Sequence, residues 1–300
     1  MSVVTEFSQA LAGMVEAVAP SVVRVEGGSR SAASGVVWSE KGVVVTTHHA
    51  VEREDEVGVS LADGRTLSGR VLGRDPGTDL ALLQVEGSGL APATWHETPP
   101  RVGEIVLAIG RPGRAARASL GIVNAVGDAW RTRGSGRIDL YVQLDLGPAP
   151  SGSLLVDASG RALGLYSSSL LRHTSMAIPA STLARVVKSI RAHGRVRRGF
   201  LGLATYPVPL PPEKAKELGQ DSGLMLVSIQ PDGPAARGGL LLGDTIVGVD
   251  GERVTQPADL LPHLDEERVG QPLSLRVLRA GAFTDLPLTV GDRVERTPAR

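Results

Sequence analysis

Apolar residues recur along this chain with two different periods. In residues 1–19 they fall on one face of a helix, and Pro20 follows, which predicts an amphipathic helix that ends there. That face consists of Phe7, Leu11, Met14, Val15 and Val18. Beyond it the apolar residues form short β-branched or alternating runs, separated by turn signals such as those at 62–64 and 75–77. The second period predicts a β-rich region.

This β-rich region contains two sets of short runs. The first set lies at residues 22–25, 35–38, 43–47, 57–61, 80–85 and 106–109, and the second at 121–126, 140–144, 154–156, 162–166 and 175–178. Such regular spacing with few helical windows is typical of antiparallel barrels. The two sets predict a mainly β fold with a pair of six-stranded barrels.

A second helix and a change of composition follow the barrels. Ser181 is a suitable N-cap and Gly194 a suitable stop for a helix over 181–192. Its apolar face would consist of Leu183, Val186, Val187 and Ile190. The predicted organisation is a helical segment at 1–20, a β domain at 21–193, a linker at 194–199, a smaller α+β domain at 200–292 and a tail at 293–300.

Composition excludes several classes of protein. The 300 residues are 42% hydrophobic, which is too apolar for a disordered chain and sufficient for two or three domain cores. Basic and acidic residues number 32 each and are mixed throughout, so the charge gives no sign of nucleic-acid binding. Because there is no cysteine, disulfides, thiol catalysis and cysteine-bound metals are excluded.

The sequence shows neither a membrane span nor an export signal. No apolar run approaches the roughly 20 residues that cross a bilayer. Residues 1–19 lack the basic start and the unbroken apolar stretch of a signal peptide. We therefore expect a cytoplasmic protein without a transmembrane segment, or an exported, periplasmic protein if the chain is a truncated form.

A serine in a tight turn is the first candidate for chemistry. Ser151 follows a Gly/Pro-rich stretch and precedes an apolar strand, an arrangement that can hold a nucleophile exposed beside backbone N–H groups. A base could come from His48 or His49, at the end of another apolar strand. An acid could come from Asp79, which opens a further strand and would be largely buried. Metal binding by the two histidines is disfavoured, because adjacent side chains of a strand point to opposite faces.

These segments resemble the HtrA/Deg family of trypsin-like serine proteases with one C-terminal PDZ domain. The matching segments are residues 46–51, 75–85, 103–112, 121–125 and 151–165. The resemblance covers nearly the whole chain and has the order His, Asp, Ser of the trypsin-like triad. It implies that His49 is the general base, that Asp79 orients His49, and that Ser151 is the nucleophile, with no cofactor or metal.

The loop before the serine departs from the family pattern. It is two residues shorter between Asp145 and Ser151, and Ala149 stands where relatives have a glycine. By the resemblance, the oxyanion N–H groups are those of Ala149 and Ser151. Pro150 biases residue 149 toward extended angles, and losing one oxyanion donor typically lowers the rate about 100- to 1000-fold. Ser153 is the alternative nucleophile, because it restores the family's spacing from Asp145.

The C-terminal domain resembles a PDZ domain over its full length. That resemblance implies that residues 200–203 bind a peptide carboxylate, and that the peptide adds as a strand beside the helix predicted at 257–264. The predicted peptide-binding residues are Phe200, Leu201, Gly202, Leu203, Leu260 and Leu264. Some leucines of the predicted helix would face the core instead of the groove.

The resemblance implies a serine endopeptidase of protein quality control. Its partners would be unfolded or damaged proteins and peptide C-termini, without nucleic acid. A trimer or larger homo-oligomer is also implied, with the segment around Phe7 as the contact. The alternative, favoured by the shortened loop, is a protease-fold peptide-binding protein or chaperone that cuts slowly or never.

Overall fold

The chain folds into two compact units, Met1–Val196 and Arg197–Arg300. The computed structural model describes residues 2–27, 33–51, 55–96 and 98–293. Each unit has its own apolar core. Of the predicted tail, only Arg293 is among the described residues.

Six antiparallel strands close the first barrel of the N-terminal unit. They are β1 Val22–Glu26, β2 Ala33–Val37, β3 Val43–Thr47, β4 Glu56–Ser60, β5 Thr66–Asp75 and β6 Leu80–Val85. Their order around the barrel is β1-β2-β3-β6-β5-β4. Valine, leucine and alanine fill its interior, as expected for side chains packed on a pleated, closed sheet.

A second barrel follows in the same unit. Its region contains β7 Ile105–Gly110, β8 Arg117–Gly127, β9 Trp130–Arg131, β10 Arg137–Ile138, β11 Tyr141–Leu146, β12 Leu154–Asp157, β13 Ala162–Ser167 and β14 Ser175–Pro179. The short strands β9 and β10 pair with each other, and the other six close in the order β11-β14-β13-β12-β7-β8. The prediction of a mainly β chain with two six-stranded barrels is confirmed.

One strand belongs to a different barrel than the sequence pattern indicates. The pattern places residues 106–109 in the first set, but β7 is part of the second barrel. The sixth strand of the first barrel is β5, which the pattern does not predict. β5 is mostly half-buried or exposed, and its register shifts between Val71 and Gly73. A bulge of this kind interrupts the alternation of apolar and polar residues on which the prediction depends.

Two α-helices flank the barrels. Helix α1 is Val3–Val18, and a 3₁₀ helix at Ala19–Ser21 leads from it into β1. Helix α2 is Ala180–His193 and buries the four apolar residues expected on its inner face. The predicted N-cap Ser181 is wrong, because the helix starts one residue earlier and Pro179 is its N-cap. The predicted stop at Gly194 is confirmed by its left-handed conformation, with φ of 72°.

The C-terminal unit is a sheet flanked by short helices. Its elements are β15 Gly199–Phe200, β16 Leu203–Pro209, α3 Pro212–Leu218, β17 Ser222–Ile229, α4 Pro234–Arg237, β18 Thr245–Val249, β19 Glu252–Arg253, 3₁₀ helices Pro257–Leu264 and Glu266–Arg268, β20 Pro272–Arg279, β21 Ala282–Thr289 and β22 Gly291–Asp292. The main sheet has the order β16-β17-β18-β20-β21, with β19 paired to β18, and β15 pairs with β22. Strand β16 therefore lies at an edge of the sheet.

The described part of the chain holds no helix that is long and apolar enough to cross a membrane.

Candidate active site

Ser151 lies in a turn between β11 and β12 that is fixed by backbone contacts. The N–H of Ser34 donates to the carbonyl of Ser151 at 3.0 Å, and the N–H of Gly152 donates to the carbonyl of Tyr166 at 2.9 Å. Gly152 has φ of 80°, and a Cβ at this position would lie 2.0 Å from the carbonyl oxygen of Ser34. Only glycine can therefore occupy the position after Ser151 without moving strand β2.

The neighbouring serine has a structural position. Ser153 is fully buried, and its Oγ donates to the carbonyl oxygen of Pro150 at 2.6 Å. Ser151 is only partly buried and lines a cavity of about 420 Å³ together with His49. The geometry therefore favours Ser151 over Ser153 as the hydroxyl that a substrate can reach.

His49 and Asp79 form a hydrogen-bonded pair on one side of this cavity. His49 lies in the 3₁₀ helix His48–Ala50 that follows β3, and its Nδ1 is 2.9 Å from both carboxylate oxygens of Asp79. The backbone N–H of His49 also donates to Oδ1 of Asp79 at 3.1 Å. A carboxylate can only accept, so Nδ1 carries the hydrogen and Nε2 is left as the acceptor in the neutral imidazole. That is the tautomer a general base for a serine hydroxyl requires.

Asp79 is held in place by its own backbone and by a buried hydroxyl. Its φ is 56°, a left-handed conformation that is uncommon for residues other than glycine, at the turn that enters β6. Its side chain is almost fully buried and accepts a hydrogen bond from Ser167 Oγ at 2.6 Å. Ser167 is not among the residues predicted from the sequence; it ends β13 as the first of three consecutive serines. The one sequence feature that points to a role for this residue is a hydroxyl at the end of a buried strand.

The surroundings of Asp79 favour the ionised carboxylate. Burial by itself raises the pKa of the carboxyl group. The hydrogen bond and the charge of His49, together with hydrogen bonds from Ser167 and Ser169, outweigh this effect and hold the pKa below the ordinary value of 3.8. Asp79 is therefore negatively charged near neutral pH and can stabilise a protonated His49.

Two backbone N–H groups are available beside the nucleophile. Pro148 and Pro150 have no N–H, so Ala149 and Ser151 are the residues of 148–151 that can donate. In the described part of the chain, neither of these two N–H groups has an acceptor. Ala149 and Ser151 both line the cavity. The shortened loop thus still presents two unpaired donors, which an oxyanion site needs.

The predicted peptide-binding residues of the C-terminal unit divide into core and surface. Leu201 and Leu260 are buried in the core, and Leu264 packs against it from the edge. Gly202 has φ of 74°, and the N–H groups of Leu201 and Gly202 have no acceptor among the described residues. Leu203 starts the edge strand β16. A peptide could therefore contact only the backbone of Leu201, because its side chain is enclosed.

The residues that the structure describes contain no cluster of three or more His, Cys, Asp or Glu side chains able to hold a metal ion.

Comparison with known proteins gives consistent similarities for both units. The family model of the trypsin-like peptidase domain matches residues 33–165, and that of the PDZ domain matches residues 207–290. A probable periplasmic serine endoprotease DegP-like from Halomonas elongata is 35% identical over 274 residues, covering 88% of this chain and 57% of that protein. Its namesake from Ectopseudomonas mendocina is 34% identical over 286 residues, covering 91% and 60%. The chain thus spans about 60% or less of the length of these curated relatives.

Solved structures are similar over almost the whole chain. The HtrA-type protease AlgW with a decapeptide has a TM-score of 0.76 and 31% identity, covering 95% of this chain and 99% of that one. The serine endoprotease from Yersinia pestis has a TM-score of 0.75 and 27% identity, covering 96% of this chain and 98% of that one.

Proposed function

This chain belongs to the HtrA family of trypsin-like serine proteases with a PDZ domain, and from that premise we propose that it is a serine endopeptidase that cleaves unfolded or damaged polypeptides. One observation carries the proposal. His49 is hydrogen-bonded to a buried Asp79 and lines the same cavity as Ser151. This is the set of groups that acyl transfer to a serine requires.

Each group has a defined part in the proposed reaction. Ser151 Oγ attacks the scissile carbonyl while its proton moves to Nε2 of His49, and the carboxylate of Asp79 stabilises the resulting imidazolium. The N–H groups of Ala149 and Ser151 bind the oxyanion. The C–N bond then breaks as His49 gives its proton to the leaving amine. Water, deprotonated by His49, hydrolyses the acyl-enzyme and restores the hydroxyl of Ser151.

The rival function, a peptide-binding protein that cuts slowly or never, rests on the shortened loop alone. The unpaired N–H groups of Ala149 and Ser151 speak against it, since the loop keeps both donors despite its length. The curated relatives reported above are named probable serine endoproteases, and they give the rival no support.

The proposed activity can be tested with fluorescently labelled casein, which is unfolded, and an equally labelled stable globular protein. We expect the wild type to release fragments from casein much faster than from the folded protein. The Ser151→Ala variant is the matched control and should release none. Casein left intact by the wild type would contradict the proposal.

We further propose that the C-terminal unit binds peptide C-termini. The edge strand β16 offers a free side for a peptide strand, and the N–H groups of Leu201 and Gly202 offer donors for its carboxylate. AlgW, a relative in structure, was solved with a decapeptide and a tripeptide.

A pair of peptides with one sequence tests this binding. Replacing the free carboxylate by a carboxamide should weaken binding about 10-fold or more, because charge-assisted hydrogen bonds are lost. The Gly202→Ala variant should bind less well than Gly239→Ala, which changes another left-handed glycine, with φ of 77°, outside the loop. Equal binding of both peptides would count against the carboxylate site.

Location and assembly are also proposals. The curated relatives are named periplasmic, which gives no support to the cytoplasmic expectation, and we propose the exported, periplasmic alternative. Val3, Val4 and Phe7 remain exposed on α1. We propose that this apolar end of α1 takes part in a homo-oligomer, a trimer by family resemblance, which light scattering of wild type and Phe7→Asp would test.

A further inference from the structure

One charged side chain in the cavity has no part in the triad. Arg117 is the first residue of β8 and lies opposite Gly110, the last residue of β7. Gly110 packs under the nucleophile turn, since a Cβ there would lie 2.4 Å from Ser153 Oγ and 3.0 Å from Pro150 Cγ. The β7–β8 hairpin therefore packs against the turn that holds Ser151. Its residue Arg117 lines the cavity that contains Ser151.

Among the residues that the structure describes, none neutralises the charge of Arg117. Its side chain is exposed, and it has no ion pair or hydrogen bond with any of them. The described residues that line the cavity include no aspartate or glutamate. Asp79 is shielded behind His49 and already accepts several hydrogen bonds. An arginine guanidinium stays charged at all physiological pH values, so Arg117 gives the cavity that contains Ser151 a permanent positive charge.

We propose that Arg117 makes the enzyme prefer substrates with an aspartate or glutamate within two residues of the scissile bond. An extended peptide advances about 3.3 Å per residue, so these positions fall within about 7 Å of the bond that Ser151 attacks. That range is within reach of an arginine in the lining of the same cavity. The inference rests on the proposed function, because it assigns specificity to the cavity in which Ser151 would act.

The expected effect is moderate, because the ion pair would be open to solvent. Exposed ion pairs contribute little binding free energy. We therefore expect a preference of about three- to fivefold for an acidic side chain over its neutral amide. The preference should shrink when ionic strength rises, as screening weakens exposed charge pairs.

The test uses the full chain and peptides based on one casein segment that the wild type cleaves, or any unfolded casein segment if none is cleaved. Glu, Gln or Lys is placed at each of the two positions on either side of the central bond. All peptides are acetylated and amidated, so that a carboxylate site in the C-terminal unit is not engaged. Binding is measured by fluorescence anisotropy on the Ser151→Ala variant, and cleavage is measured as kcat/KM on the active chain.

Variants at Arg117 supply the specific readout. We expect Glu peptides to bind best and to be cut three- to fivefold faster than Gln peptides at one or two positions. Arg117→Gln should bring that ratio to within about 1.5-fold, and Arg117→Glu should shift the preference to Lys. Arg114→Gln, an exposed arginine of the same hairpin outside the cavity lining, should keep the wild-type ratio.

The outcomes separate this inference from the proposed function. Preference for Glu in the binding measurement without any cleavage by the active chain would support Arg117 and contradict the protease. Cleavage or binding with equal values for Glu and Gln, or a ratio that Arg117→Gln leaves unchanged, would overturn the role of Arg117.

Discussion

Replacing Asp79 with asparagine puts a donor into a position surrounded by donors. The backbone N–H of His49 points at Oδ1, so the asparagine oxygen takes that place and the NH₂ group takes the place of Oδ2. There it meets Nδ1 of His49, which lies 2.9 Å away, and the hydroxyl of Ser167. The amide donates to Nδ1, which must then give up its hydrogen. The imidazole proton moves to Nε2, and His49 can no longer accept the proton of Ser151.

The size of the effect follows from this change of tautomer. The equivalent exchange in a serine protease triad lowers kcat about 10⁴-fold, which is about 5 kcal/mol of transition-state stabilisation. Asp79 is almost fully buried and does not line the cavity, so KM should change little. The matched control is Asp75→Asn, which alters a buried carboxylate at the same turn, bonded to Thr78 at 2.7 Å. It should lower stability but leave kcat within about tenfold.

The assay is cleavage of a casein-derived peptide at neutral pH, with circular dichroism of each variant as a check on folding. A folded Asp79→Asn enzyme with kcat within tenfold of the wild type would refute this reasoning. Such a result would mean that the carboxylate does not set the tautomer of His49.

Stability against pH gives a second readout for the same variant. The pKa of Asp79 lies below its ordinary value of 3.8, so folding favours the carboxylate. Its contribution to the free energy of unfolding is therefore present above pH 3.8 and is lost as the pH falls through the lower folded pKa. In urea titrations, the difference in the free energy of unfolding between wild type and Asp79→Asn should become smaller as the pH is lowered below 3.8. A difference that stays constant would show that Asp79 is not stabilised as an anion.

Three further substitutions have defined outcomes. Ser167→Ala removes a charge-assisted hydrogen bond of about 1.5–3 kcal/mol to the triad carboxylate. We expect kcat to fall about tenfold or more with KM unchanged, and an unchanged kcat would contradict this role of Ser167. Gly152→Ala should lower stability by more than about 2 kcal/mol in urea unfolding. The control Gly147→Ala, with open space around its Cβ, should change stability by no more than about 0.5 kcal/mol. Equal effects of the two substitutions would contradict the close approach of Gly152 to Ser34. Arg279→Met leaves the almost fully buried Asp244 without its bidentate partner, so the thermal unfolding midpoint of the C-terminal unit should fall. An unchanged midpoint would contradict this role of Arg279.

The sequence predicts most of the fold because burial and period agree in most strands. Strands such as β3 and β6 are almost completely buried and consist mostly of β-branched and leucine residues, so the sequence pattern predicts them directly. Strand β5 is different, because it is half exposed and its register is irregular. Because the sequence pattern does not reveal β5, it assigns the run at 106–109 to the first barrel as the sixth strand. In the structure this run is β7, which pairs with β8 and β12 in the second barrel.

The candidate site was predictable only in part. His49, Asp79 and Ser151 stand at the ends of buried strands or in tight turns, where a rigid scaffold can hold a polar side chain at a cleft. Ser167 stands in a row of three serines, and sequence alone gives no reason to choose one of them. Arg117 lies 34 residues before Ser151 in a hairpin, and only the folded register brings it to the same cavity.

The most direct test of the proposed chemistry is labelling with a fluorescent fluorophosphonate, which reacts with a serine hydroxyl activated by a nearby base. The wild type, Ser151→Ala and Ser153→Ala would be compared at equal concentration after a check on folding. We predict that labelling disappears in Ser151→Ala and persists in Ser153→Ala, because the Ser153 hydroxyl only forms a hydrogen bond within the turn. Loss of labelling in Ser153→Ala alone, or no labelling of the wild type even with unfolded casein present, would contradict the assignment of Ser151 as the nucleophile.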